Sequence, residues 1–232
     1  RRAQALLEAV ENAATALPRF KPVKPPKQVD ENLASLLTIT DFHLGMKAWK
    51  DSDGDDWDLK IARDVFLNAI HEAIHLMLKS FGKVVVVQAE GNHDLASSVW
   101  MRKFIKHRFQ DEPRVEVIDN EFPYYAYQHG DIMLGFHHGH KMKMAQLQKL
   151  FASEPRFRKL WGASQHAYIH CGHLHHERVL DDAGCTVEQH PTLAARDNYT
   201  SSHGYVSQRG AKVITYDKLE GEVHRVTVRP RL

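Results

Sequence analysis

Four apolar, β-prone runs in this chain each end in a short polar turn that carries histidine, and this alternation restricts the fold more than any other feature. The runs are Leu36 to Thr40, Val84 to Val87, Ile132 to Phe136 and Tyr168 to Cys171. The turns that follow them are Asp41-Phe42-His43, Gly91-Asn92-His93-Asp94, His138-Gly139-His140 and Gly172-His173-Leu174-His175. Such a pattern belongs to an open α/β sheet, where polar groups gather at the ends of successive strands. Side chains two residues apart on an extended backbone point the same way. Asp41 with His43, and His173 with His175, therefore each offer a pair of metal donors.

Apolar spacing supplies the remaining elements. A helix is predicted over about 58–79, with Leu59, Ala62, Phe66, Ala69 and Ile70 on one face. A strand follows over Lys83 to Val87, then a helix from about Ser97 to Arg108, and strands near Val115 to Ile118, Tyr124 to Tyr127 and Ile132 to Phe136. Lys141 to Leu160 reads as helix, Tyr168 to Cys171 as strand, and the tail as strands over Lys212 to Tyr216 and Glu222 to Val228. The first thirty residues differ. Ala3 to Leu17 has helical spacing, and Pro18 and the basic, proline-rich stretch Lys21 to Lys27 then read as a linker. Residues 1–30 are expected to be an N-terminal helix and linker left from an upstream region, as the start at Arg1 suggests, and residues 31–232 one domain.

Composition narrows the classes. No apolar run approaches the roughly 18 residues of a membrane span, and the N-terminus shows no signal-peptide pattern. Cys171 and Cys185 are too few for a disulfide framework and lack a metal or redox spacing, so a cytoplasmic protein is expected. A net charge of +2 gives no argument for nucleic acid. The unusual number is 17 histidines, concentrated between His137 and His176.

Asp41, His43, Asn92, His138, His173 and His175 offer more N and O donors than one tetrahedral zinc site uses. Two divalent ions sharing them fit better, and a pair about 4 Å apart is the usual apparatus for displacement at phosphorus. Imidazole and carboxylate donors suit manganese first, with iron, zinc or cobalt as alternatives.

Taken together, the four motifs resemble the calcineurin-like metallophosphoesterase superfamily, over most of Leu36 to about Val228. The resemblance implies a four-layer α-β-β-α sandwich of two mixed sheets. It implies that Asp41, His43 and His175 bind one metal and Asn92, His138 and His173 the other. His93 is similar to the family's non-ligand histidine, which contacts the scissile phosphate and protonates the leaving oxygen, with Asp94 orienting its ring. A hydroxide between the metals would then attack phosphorus in line. Asp41-Phe42-His43-Leu44-Gly45 looks like the opening of the SbcD-type DNA repair nucleases, which makes DNA or another phosphodiester the expected substrate. Arg102, Lys103, Lys106 and Arg108, with Lys141 and Lys143, would lie along a phosphate backbone. A small-molecule phosphatase or cyclic-nucleotide phosphodiesterase is the alternative enzyme. The N-terminal helix is the expected contact for an upstream domain or partner protein, and a homodimer is compatible with the sequence.

One part of the family pattern is missing: a Gly-Asp pair at the end of the second strand, whose aspartate bridges the metals. Only 47 residues, 44–90, separate His43 from Gly91. A parallel sheet needs about 30 residues or more for each further βαβ unit, so one βα unit is absent. Either the bridging ligand has been lost, leaving an inactive interaction scaffold, or a segment carrying it is absent between about Ile70 and Leu78. The second account is favoured because the other ligand positions are intact. Two further motifs are rejected. His71-Glu72-Ala73-Ile74-His75 matches a zinc-protease pattern but has no third ligand to go with it. Asp51 to Asp56 resembles a calcium loop but lacks glycine at its sixth position and glutamate at its twelfth.

Overall fold

The computed structural model describes residues 22–40, 59–92, 95–193 and 208–229. The expected helix over Ala3 to Leu17, the acidic loop Asp51 to Asp56, and Asp41, His43, His93 and Asp94 lie outside the described residues.

The chain is a mixed α/β protein. A five-stranded mixed sheet forms its middle, in the order β4 (Tyr125–His129), β5 (Ile132–Phe136), β6 (His166–Cys171), β8 (Cys185–Gln189) and β7 (Arg178–Asp182). The hairpin β4–β5 turns through Gly130 and Asp131, with Gly130 at φ 57, which suits a two-residue turn opening on glycine. β5, β6 and β8 run parallel, so their C-terminal ends share one edge. β5 reaches β6 through two helices, α3 (Met144–Ser153) and α4 (Pro155–Ala163). These were expected as one helix over Lys141 to Leu160. Glu154, held extended by the following proline, breaks it, and Pro155 starts the second helix where its missing N–H costs nothing.

Both helices cover one face of this sheet, where Leu147, Phe151 and Phe157 pack with Tyr124, Met133, Ile169, Cys171 and Val187. Gly135 lets Phe151 lie flat on β5, since a β-carbon there would sit 3.0 Å from Phe151 Cζ. The opposite face meets an antiparallel three-stranded sheet, β1 (Leu33–Thr38), β9 (Ala211–Asp217) and β10 (Gly221–Val228), through Ile132 and Leu134 against Ile214 and Tyr216. A third piece consists of the parallel pair β2 (Val84–Val87) and β3 (Val115–Ile118). It is covered by α1 (Leu59–Ser80) and α2 (Leu95–Arg108) through Ile74, Leu78, Met101 and Ile105. Val23 packs onto this third cluster, and Arg114 donates from Nη2 to its carbonyl at 2.7 Å.

Helices outside and sheets inside agree with the expected layering, except that the layer containing β1 and β2 is in two pieces. Among the described residues no strand pairing joins β1 to β2. A cavity of about 810 Å³ separates them, lined by all of β1 and β2, by α1, and by Tyr127, Leu134 and Phe136 of the five-stranded sheet. The hairpin β7–β8 was not expected. Its turn places Ala183 at φ 51 and Gly184 at φ 74, a conformation an alanine seldom announces.

Candidate metal centre

The shared edge where β5 and β6 end carries most of the described motif residues. After β5 the chain enters His137, whose N–H donates to the His170 carbonyl at 3.1 Å. Gly172 N–H donates to the His138 carbonyl at 2.9 Å, and His190 N–H to the Cys171 carbonyl at 2.8 Å. Thr40 Oγ1 donates to the Pro191 carbonyl at 2.7 Å, and Thr192 Oγ1 to the Thr40 carbonyl at 3.0 Å. This run of hydrogen bonds ties Thr40, two residues past β1 and one before Asp41, to the turns bearing His138 and His173.

Side chains meet at the same edge. His138 Nε2 lies 3.0 Å from Asn92 Oδ1. The rings of His138 and His173 are 5.2 Å apart and steeply inclined, and His140 lies 5.1 Å from His138 and 6.2 Å from His173. The three side chains that sequence reasoning assigned to one metal, Asn92, His138 and His173, are thus together. His175 follows two residues later in the turn. Its ring makes none of these contacts.

The backbone around the histidines is strained. His173 has φ 74 and His175 φ 58, both left-handed. Leu174 N–H donates to the Gly172 carbonyl at 3.0 Å, closing a three-residue turn around His173 of the rarer, strained sign. Positive φ at two side-chain-bearing residues costs of order 1–3 kcal/mol each and is usually found at functional sites. Gly139, at φ 112, permits the close approach of the two turns, because a β-carbon there would lie 3.0 Å from the Gly172 carbonyl oxygen.

His137 packs face to face on Tyr124 at 4.4 Å and accepts the Gly139 N–H at Nδ1. Burial first, then His140, His138 and Lys141, lower its pKa to about 3. It is a neutral support under the turn.

A second polar group was not foreseen from sequence. His170, Glu188 and His190 bring three donor atoms within 4.8 Å of one another. His170 Nδ1 is 2.8 Å from His190 Nε2, and its Nε2 is 3.0 Å from the Tyr216 hydroxyl. Glu188 accepts from Lys212 Nζ and, in a fork, from Arg225 Nη1 and Nη2. Burial raises the Glu188 pKa, but these hydrogen bonds outweigh it and leave the carboxylate lowered. Burial, then Lys212 and Arg225, lower His190 to about 3. Two cations already neutralise the carboxylate and His170 uses both nitrogens, so this donor set serves as a hydrogen-bonded link between β6, β8, β9 and β10. The signal for it was Lys212 and Glu188 inside otherwise apolar strands.

Two other sequence readings are settled by geometry. Arg108 Nη2 lies 3.3 Å from His71 Nε2, which puts a permanent cation where zinc would sit in the His71–His75 motif. The basic face expected along α2 needs correction. Arg102 is 2% exposed, donates to the Tyr125 hydroxyl and pairs with Asp119, which also holds Lys103. Lys141 pairs with Glu90. Among the described residues no helix is long and apolar enough to cross a membrane. Cys171 and Cys185 are buried in β6 and β8, where Cys185 lies across from Ala167.

The chain matches no family model and no curated protein. Among solved structures it is similar to a Vps29 double mutant from Entamoeba histolytica, at 13% identity and a TM-score of 0.36, over 85% of this chain and 100% of that one. Wild-type Vps29 from the same organism, complexed with zinc, gives 14% identity and a TM-score of 0.32, over 71% and 88%. A conserved protein of Streptococcus pneumoniae described as a predicted phosphoesterase gives 10% and 0.29, over 63% and 97%. At these identities and scores the likenesses assign no activity.

Proposed function

We propose that the chain is a dinuclear-metal-dependent phosphoesterase of the calcineurin-like metallophosphoesterase type, acting on a phosphodiester, with DNA as the leading substrate. The observation that carries this reading is the meeting of Asn92, His138 and His173 at one sheet edge, beside the strained turn that also bears His175. An amide oxygen and two imidazoles are a donor set suited to a divalent transition metal, so the residues fit such an ion. Asn92, His138 and His173 would hold one metal, and Asp41, His43 and His175 the other. When bound, the pair would supply Lewis acidity to the phosphoryl oxygens and activate water, with manganese the first choice.

This chain's own residues take the remaining parts. His93, next to Asn92 in sequence, donates a proton to the leaving oxygen, and Asp94 holds its ring for that transfer. The strain at His173 and His175 fixes the approach of their rings before metal arrives. Residues 31–232 form the catalytic domain, onto which the preceding stretch packs through Val23 and Val29, and the sequence before it is available to a partner. The two buried cysteines suit a cytoplasmic setting.

A second reading has its own support. The sequence between His43 and Gly91 carries no Gly-Asp pair after an apolar run, its one Gly-Asp being Gly54-Asp55 in an acidic stretch, so a catalytically inactive interaction scaffold is the competing role. Manganese or zinc titration by calorimetry, followed by assays on bis-p-nitrophenyl phosphate and linear DNA, separates the two. The enzyme reading expects metal binding lost in His138→Ala and ester cleavage lost in His93→Ala with metal affinity kept. Metal binding without cleavage of either substrate leaves the scaffold. Cleavage of the small ester with intact DNA removes the nuclease assignment.

A further inference from the structure

We propose that His140 is a direct ligand of the metal assigned above to Asn92, His138 and His173, so that this centre holds its ion with three imidazoles and one amide oxygen. The inference rests on the metal reading of that edge and adds a donor to it. His140 is the second histidine of the His138-Gly139-His140 motif, and the mechanism above gives it no part.

The three rings surround one point. Their centres are 5.1 Å apart for His138 and His140, 5.2 Å for His138 and His173, and 6.2 Å for His140 and His173. The point equidistant from three centres so placed lies about 3.2 Å from each, and an ion bonded to an imidazole nitrogen at about 2.1 Å stands at about the same distance from the centre of that ring. The rings are inclined to one another by 56, 61 and 63°. None of the three therefore lies flat on another, and each can turn an edge inward. Asn92 Oδ1, 3.0 Å from His138 Nε2, sits at the separation of two neighbouring donors on one ion with bonds of about 2.1 Å.

His137 shows how a supporting histidine sits at this edge. It is 1% exposed, lies at 14° on the Tyr124 ring and at 11° on that of His140, and uses Nδ1 to accept the Gly139 N–H. His140 is half-buried, with the two ligand rings on its other side. The chain on both flanks of it is held. Gly139, at φ 112, takes a backbone conformation open to glycine and is fixed by the bond to His137. Lys141 Nζ donates to Glu90 Oε1 at 2.7 Å, two residues before Asn92. These bonds set the approach of His140 to the Asn92 arm before an ion arrives, which is the placing that a metal ligand requires. Three imidazoles and an amide oxygen bring no charge, so the centre can hold its ion with or without a bridging carboxylate. A set so rich in nitrogen suits zinc, and zinc is the probe.

Affinity alone does not separate a ligand from a support, since loss of an outer partner also weakens metal binding, by about 10–100-fold. The test therefore reads the ring nitrogens themselves. The whole chain, isotopically labelled in its histidine rings, is titrated with zinc and followed by long-range proton–nitrogen correlation spectra, each ring being assigned through its own backbone so that no variant has to fold. One ring nitrogen each of His138, His140 and His173 is expected to move to the metal-bound position at the same zinc equivalent. By calorimetry His140→Gln is expected to bind zinc at least tenfold more weakly than the wild type. Movement of the His138 and His173 nitrogens with His140 left at its zinc-free position makes His140 a support and overturns the proposal, with the metal reading intact. Movement of His140 at a different zinc equivalent from the other two places it on another ion and overturns the proposal too. Zinc that moves none of the three overturns the proposal and the metal reading together.

Discussion

Acidification from pH 7.5 to 5 will destabilise this protein through its buried neutral histidines. His190 and His137 are each depressed to about 3, by burial first in both cases, and His170 is held well below its usual value by burial and His190. In the unfolded chain a histidine binds its proton near 6.5. Between about 6.5 and 3 the unfolded state therefore holds protons that the folded state refuses, so the stability present above 6.5 is lost as pH falls. Each such group contributes about 1.4 kcal/mol per pH unit, or about 2 kcal/mol by pH 5. His190 and His137 together remove about 4 kcal/mol, against a total of about 5–15 kcal/mol for a typical domain. The lowered carboxylates Glu188, Glu112 and Asp119 titrate below this window and do not contribute to it. With a urea slope of about 2–3 kcal/mol per molar, the midpoint of the transition that melts the five-stranded sheet, whose strands β5 and β8 lead into His137 and His190, should fall by about 1.5 M between pH 7.5 and 5, followed by circular dichroism. His190→Asn will lower stability at both pH values but flatten its pH dependence by about 1.4 kcal/mol per unit. A midpoint that stays constant over the window, or a wild-type slope in His190→Asn, refutes the reasoning.

Three other perturbations have defined outcomes. Gly139→Ala forces a β-carbon onto the Gly172 carbonyl at a positive φ; thermal unfolding should show a loss of about 1–3 kcal/mol, with weaker manganese affinity by calorimetry. Phe151→Ala empties the space between Gly135, Tyr124 and Phe157 and should cost about 3–5 kcal/mol in urea titration. Tyr216→Phe removes the hydroxyl from His170 Nε2; a loss of about 1–3 kcal/mol in the same assay is expected for the buried nitrogen left behind.

How much of this was legible in the sequence varied with the distance over which the residues act. Strands β3 and β5 start and end where apolar patterning placed them, because each is a short run bounded by polar turns. The meeting of Asn92, His138 and His173 was legible for a related reason: each follows a strand closely, so chain direction alone brings it to the edge. The link through His170, Glu188, His190, Lys212 and Arg225 was not, since its members come from strands far apart in sequence. Arg102 was misplaced because a basic residue on a helix is normally solvated, whereas Tyr125 and Asp119 draw this one inward. The β7–β8 turn escaped because Ala183 adopts a conformation that glycine or asparagine would have advertised.

The break between β1 and β2 also bears on how the molecule comes apart. β2, β3 and their covering helices share a core of their own, and they reach the five-stranded sheet through side chains such as Arg102 on the Tyr125 hydroxyl. With no hydrogen-bond ladder to the other sheets among the described residues, that unit opens at a lower free energy than the sheet around β6. Heat or denaturant should therefore release it first, so that the protein unfolds in two steps and each unfolding midpoint describes one of the two units.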